Sequence, residues 1–194
     1  DTVLEIGPGI GFVTEKAAPE VKRLIAVEID KDAIDVLSDL PFNNIDIINK
    51  DILQTDFSLL VEERVKIIAN IPYYITSPIL VHLLGEIDEQ TNKNRNLISE
   101  IILMVQYEVA KRIVATNESH SKDYGLLSIL CNFWAETEVL EKVPASAFYP
   151  KPKVDSALVR LRVRETPLFK LDDPKKFRRV IKGAFAMRRK TLVN

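Results

Sequence analysis

Asn70, Ile71, Pro72 and Tyr73 set an amide, a stiffened backbone and an aromatic face in four consecutive positions. An asparagine side chain both donates and accepts hydrogen bonds. Pro72 fixes its own φ and drives Ile71 towards an extended conformation, so the neighbouring carbonyls are held in place. Tyr73 adds a flat face with a polar tip. Such a group grips a planar ring bearing an exocyclic amine: oxygens accept the N–H bonds and the aromatic covers the ring.

Three acids mark a second function. Glu5 precedes the turn Gly7-Pro8-Gly9-Ile10-Gly11, Glu28 ends a second apolar run, and Asp51 follows a third. A glycine turn opens backbone N–H groups to a ligand. The spacing is not the dinucleotide fingerprint Gly-x-Gly-x-x-Gly, because Phe12 takes the place of the last glycine. An acid ahead of the turn suits a cationic group and repels a pyrophosphate. An acid at the end of the second strand of a doubly wound sheet takes ribose hydroxyls, and Asp51 can accept from an adenine amine. Ribose, adenine and a cation in one pocket describe S-adenosylmethionine and exclude NAD.

The stretch from Pro144 to Ser156 holds three prolines, with Phe148 and Tyr149 beside Lys151 and Lys153. Aromatics among cations suit an unstacked base and its phosphates. Lys175, Lys176, Arg178, Arg179, Lys182, Arg188, Arg189 and Lys190 follow, around an apolar stripe of Phe177, Val180, Ile181 and Ala184. One face of that segment packs and the other meets phosphates.

These residues need a frame. Apolar runs predict strands over 2–6, 22–29, 45–48, 65–69 and 101–105, each parallel and buried, with helices between them. The helices cover 12–18, 31–40, a segment capped by Thr76 or Ser77 and running to Leu84, 107–115 and 125–134. Two late strands lie near 136–143 and 154–163, the last able to pair antiparallel. A basic helix covers 174–186. Residues 86–96 read as a polar surface loop, and 117–123 as polar and mobile. The alternation predicts an α/β fold with a doubly wound, mostly parallel sheet.

With 46% hydrophobic residues among 194, the chain can bury one core. Residues 151–194 carry 14 Lys/Arg against 4 Asp/Glu, so an acidic body has a basic end, a pattern that suits a polyanion. One cysteine excludes a disulfide framework, and two histidines give no zinc-ligand spacing. No run reaches transmembrane length. A cytoplasmic protein with no membrane partner is expected. The chain begins inside its first strand, so residues are expected to be missing at both ends.

The motifs together resemble the ribosomal RNA adenine N6-dimethyltransferases that act on the small subunit. They are Val3-Leu4-Glu5-Ile6-Gly7-Pro8-Gly9-Ile10-Gly11, Val27-Glu28-Ile29-Asp30, Lys50-Asp51-Ile52-Leu53, Asn70-Ile71-Pro72-Tyr73, Met104-Val105-Gln106-Tyr107-Glu108-Val109-Ala110, Phe148-Tyr149-Pro150-Lys151-Pro152-Lys153-Val154-Asp155-Ser156-Ala157 and Arg188-Arg189-Lys190-Thr191-Leu192. The resemblance implies a Rossmann-like methyltransferase domain over 1–164 and the start of a small helical domain over 165–194. It implies S-adenosylmethionine held by Glu5, Gly7, Gly9, Gly11, Glu28, Ile29, Asp51, Ile52 and Asn70, with S-adenosylhomocysteine as product. Catalysis is expected at Asn70, Ile71, Pro72, Tyr73 and Phe148, and RNA contacts at Lys151, Lys153, Arg178, Arg179, Arg188, Arg189 and Lys190. The implied product is N6,N6-dimethyladenosine at two adjacent positions near the 3′ end of small-subunit rRNA, made by a monomer on a pre-30S-type particle. Tyr107 stands where the family usually has lysine. The alternatives are a large-subunit enzyme of the macrolide-resistance type, a DNA adenine methyltransferase, which usually carries Asp-Pro-Pro-Tyr, and a non-catalytic assembly or transcription factor on the same fold.

Overall fold

A computed structural model describes residues 1–119 and 121–186. Arg188, Arg189 and Lys190 lie outside the described residues. Strands β1 (Thr2–Ile6), β2 (Arg23–Glu28), β3 (Ile45–Asn49), β4 (Val65–Ala69), β5 (Ile98–Gln106), β6 (Ala135–Val143) and β7 (Ser156–Val163) form one sheet in the order β3-β2-β1-β4-β5-β7-β6. The first five are parallel, whereas β7 runs antiparallel to both β5 and β6. Helices α1 (Phe12–Ala17), α2 (Lys31–Ser38), α3 (Thr76–Leu84), α4 (Lys93–Asn96), α5 (Tyr107–Val114), α6 (Leu126–Trp134) and α7 (Pro174–Ala186) connect or follow them.

The burial of the strands follows their place in the sheet. β1 and β2 are central and almost continuously buried, as parallel strands covered on both faces must be. β6, at the edge, alternates and carries acids. Its Glu136 and Glu138 face Arg162 and Arg160 of β7, and Arg160 forms an ion pair with Glu138. Part of the basic excess of the C-terminal segment is thus spent inside the fold. The main core runs from Leu4 and Ile6 through Ile67, Leu80 and Leu103 to Phe133 and Ile181. Ile181 carries α7 onto this same core, and Arg178 on that helix pairs with Glu86 and Asp88.

Chain order reverses direction between β1 and β4, which is where open α/β sheets bind ligands at their carboxyl ends. The register aligns those ends: Ile6 lies opposite Val27 and Ala69, and Ala69 opposite Leu103. β7 starts at this same end, with Ser156 opposite Gln106. The glycine turn, Glu28, Asp51, Asn70 and the proline-rich loop therefore share one rim.

Two local expectations fail. Thr76 is the first residue of α3 rather than its cap; Ile75 holds that place, with no side-chain hydrogen bond. The hydroxyl of Thr76 is buried without a partner among the described residues. Residues 86–96 are not a surface loop. Arg95 is only 5% exposed, its guanidinium 3.5 Å from the centre of the Trp134 ring. It donates to the carbonyls of Leu84 (2.6 Å), Glu89 (3.3 Å) and Gln90 (2.8 Å). A buried arginine spends its donors on the last carbonyl of α3, where the helix dipole favours a cation, and on two carbonyls of the loop that follows.

Candidate active site

The glycine turn is built from left-handed backbone: φ is +64° at Gly7, +57° at Gly9 and +91° at Gly11. Each glycine meets something different. A Cβ on Gly7 would sit 3.2 Å from Cγ2 of Ile71, so the turn packs directly against the Asn70–Tyr73 segment. A Cβ on Gly11 would sit 2.9 Å from Leu37 and 3.1 Å from Leu40, which locks the turn to the end of α2. A Cβ on Gly9 would meet nothing within 4 Å. Gly9 is therefore the glycine whose empty side faces open space rather than protein.

Glu5 is buried at 3% exposure and accepts a 2.7 Å hydrogen bond from the Thr14 hydroxyl on α1. Burial pushes its carboxyl above the ordinary range, the Thr14 bond opposes this, and nearby Glu28 adds to the rise. A cation brought to the turn would relieve both unfavourable effects.

Glu28 is nearly as buried. Its Oε1 accepts from the N–H groups of Ile29 (2.8 Å) and Asp30 (2.9 Å), and its Oε2 from that of Gly9 (2.9 Å). An ionised carboxylate has about four lone-pair sites, so one place remains, on Oε2. Glu28 can take one ribose hydroxyl as it stands; taking two requires Gly9 to release it. Ile29 is exposed beside it, whereas Ile52 is buried in the main core. Asp51 caps the short helix Ile52–Gln54 through a 2.9 Å bond from Leu53 N–H to Oδ1. Among the described residues its Oδ2 has only a long contact from Gln54, at 3.4 Å.

Asn70 directly follows β4 and is exposed, and neither its amide nor the Ile71 carbonyl has a hydrogen-bond partner among the described residues. Ile71 itself is buried in the core. Pro72 takes φ −55° and ψ 133°, and its carbonyl accepts from Ile75 at 3.2 Å. The segment is anchored by its apolar residue and its backbone while its amide is left for something else. Tyr73 is half-buried, with its hydroxyl 2.6 Å from that of Ser156.

The proline-rich loop is tied at its base. Asp155 accepts from Ala145 N–H at 3.0 Å and pairs with Lys142 at 2.9 Å. Its carbonyl accepts from Tyr107 N–H at 2.9 Å, and the Tyr107 ring lies 4.8 Å from the Lys142 ammonium. Tyr107 thus sits under a lysine of β6. Phe148 is half-buried; Lys151 and Lys153 are exposed. Arg179 is exposed on α7, but Arg178, expected on RNA, is instead engaged by Glu86 and Asp88. Residue types alone did not reveal Thr14, Ser156 or Asp155, whose partners are set by the fold.

The whole chain, residues 1–194, matches the family model described as ribosomal RNA adenine dimethylase. Ribosomal RNA small subunit methyltransferase A of Clostridium perfringens is 41% identical over 198 residues, covering 100% of this chain and 66% of that protein. The protein of the same name from Bacillus licheniformis is 40% identical, covering 99% and 65%. Among solved structures, a dimethyladenosine transferase from Plasmodium falciparum superposes with a TM-score of 0.77 at 31% identity, covering 99% of this chain and 66% of that one. The 23S rRNA methyltransferase ErmE gives 0.69 at 30%, covering 96% and 70%. The chain spans about two thirds of the length of the curated relatives it matches. Its glycine turn, its strand-end acids and its free Asn70 amide stand within a match that leaves no residue out, and the chain belongs to the ribosomal RNA adenine dimethylase family.

Proposed function

We propose that this chain transfers methyl groups from S-adenosylmethionine to N6 of two adjacent adenosines near the 3′ end of small-subunit rRNA. The product is N6,N6-dimethyladenosine, and the substrate rRNA is presented in a pre-30S-type particle. The observation that carries this reading is the contact of Gly7 with Ile71, which sets a cofactor turn against a segment whose amide is unspent. The residues present suit that cofactor: open space at Gly9, a spare lone pair on Glu28, an underused oxygen on Asp51 and the buried Glu5 behind the turn.

The cofactor supplies an electrophilic methyl group on a sulfonium. In the first transfer Asn70 Oδ1 and the Ile71 carbonyl accept the two N6 hydrogens of an adenine drawn out of its stack; in the second, the one N–H that remains keeps one of these acceptors. Those bonds favour a pyramidal nitrogen with its lone pair turned towards the methyl. With the cofactor held at the glycine turn by Glu5, Glu28 and Asp51, the nitrogen would take its methyl as the C–S bond breaks, and the amine's proton would pass to water. No strong base is needed; alignment and fixed dipoles lower the barrier. Tyr73 and Phe148 cover the ring, each contributing about 1–3 kcal/mol. Lys151, Lys153 and Arg179 meet phosphates, joined by Arg188, Arg189 and Lys190.

The test is a labelled-methyl assay offering immature small subunits, large subunits and naked DNA. Label in small-subunit rRNA, released as N6,N6-dimethyladenosine, is the expected result. Label confined to large subunits identifies the ErmE-like activity instead. Absence of S-adenosylmethionine binding by calorimetry identifies a non-catalytic RNA-binding module.

A further inference from the structure

The chain has two aromatic pairs on the site's rim, Tyr73-Tyr74 and Phe148-Tyr149. In each pair the first ring is half-buried and the second is bare. Tyr74 is 85% exposed and Tyr149 102%, the two highest values among the exposed large apolar side chains. Scattered exposed apolar residues are ordinary on any surface. These two are not scattered: each directly follows an aromatic proposed to cover the target adenine. The Tyr73–Ser156 hydroxyl contact joins the two segments across the rim. Lys151 and Lys153 are exposed just beyond Tyr149. Neither outer tyrosine has a hydrogen-bond, ion-pair or ring partner among the described residues.

We infer that Tyr74 and Tyr149 form an outer stacking platform for the unpaired nucleotides flanking the target adenosine. This rests on the proposed methyl transfer to RNA. The inner rings hold the base that reacts. The outer rings hold its neighbours, which lose their own stacking when the target leaves the strand. Stacking on an aromatic face is tolerant of sequence, because every base has a π-face. The occupant is single-stranded RNA, because an unpaired base offers the flat face that the rings match and its phosphate finds the lysines. A platform of this kind also suits a substrate with two adjacent target adenosines. While one is in the pocket the other lies on an outer ring, one nucleotide away from its own turn.

The experiment uses the full chain and an RNA hairpin whose loop carries two adjacent adenosines. In one version a nucleotide beside the target is replaced by fluorescent 2-aminopurine, and in another the bases on both sides of the target are removed to leave abasic sugars. With 2-aminopurine, the wild type is expected to quench the fluorescence. Tyr74→Ala with Tyr149→Ala loses the quench, and the Phe variants at both positions keep it. On intact RNA the double Ala variant weakens binding about 5- to 150-fold per ring. On abasic RNA the variant and wild type bind alike. Equal weakening on intact and abasic RNA overturns the proposal, as does an undiminished quench in the Ala variant. A variant that dissolves a dimer without touching RNA binding also overturns it. Quenching by a wild type that methylates no RNA would leave the platform standing and remove the methyl-transfer reading.

Discussion

The Tyr73 hydroxyl lies 2.6 Å from the Ser156 hydroxyl, joining the segment after β4 to the first residue of β7. Ser156 is fully buried. The bond therefore ties the ring beside Asn70 to the strand that follows the proline-rich loop, 83 positions along the chain. Tyr73→Phe keeps the ring but leaves a buried hydroxyl unpaired. Stability should fall by about 1–3 kcal/mol, read from denaturant midpoints at constant m. Methylation should fall only a few-fold, because the face that covers the adenine survives.

The three glycines of the turn should separate folding from binding. Gly11→Ala forces a Cβ to within 2.9 Å of Leu37, on backbone that L-residues avoid, so it should destabilise the chain. Gly9→Ala meets no protein atom. It should cost about 1–2 kcal/mol of left-handed backbone strain, yet abolish S-adenosylmethionine binding measured by calorimetry. Loss of binding in Gly11→Ala with unchanged stability, or retained binding in Gly9→Ala, would contradict the assignment of these surfaces.

Glu5 and Glu86 predict opposite pH effects. The folded pKa of Glu5 is raised, chiefly by burial, so its ionisation opposes folding as pH rises above the ordinary 4.5. Glu5→Gln should raise the melting temperature at pH 7, keep the Thr14 bond, and weaken cofactor binding. The folded pKa of Glu86 is lowered, first by the hydrogen bond from Arg178. Its contribution is complete above 4.5 and is lost as pH falls through the lowered value. The pair is about one-third exposed, so less than about 1 kcal/mol is at stake. Glu86→Gln should flatten the acid limb of a stability profile and loosen α7 in hydrogen exchange.

Cys131 lies fully buried in the main core, and burial pushes its thiol up to about 12. Only the thiolate reacts with alkylating agents. Iodoacetamide should leave the folded chain unmodified at pH 8 and label it stoichiometrically in denaturant. The labelling rate then reports opening of α6 against the sheet.

The sheet was largely legible because its strands are apolar runs ended by glycine, acid or Asn-x-Pro. β4 falls at the residues expected, 65–69. The strand-end positions of Glu28 and Asn70 follow from the same pattern. Contacts between distant residues were not legible. Composition reads Asn92, Asn94 and Arg95 as solvated, yet all three are buried. Each finds partners that only the fold supplies: Asn92 caps α4, Asn94 accepts from Phe57 N–H, and Arg95 reaches the carbonyls of Leu84, Glu89 and Gln90. Gly85 was the available signal that α3 stops there. Arg178 read as a phosphate contact for the same reason: periodicity places it on α7, but only the fold brings Glu86 and Asp88 to it. Thr76 read as a helix cap because caps favour its type, but the short helix Tyr73–Ile75 runs straight into α3 and moves the start of the turn earlier.

Asn70 carries the central claim, since its amide is exposed at the end of β4 and has no structural duty among the described residues. The direct measurement is single-turnover methyl transfer to small-subunit rRNA by Asn70→Ala, with S-adenosylmethionine affinity and unfolding measured on the same protein. The account predicts unchanged stability, cofactor affinity within a few-fold of wild type, and transfer reduced by about 100-fold or more. Transfer at the wild-type rate would contradict it.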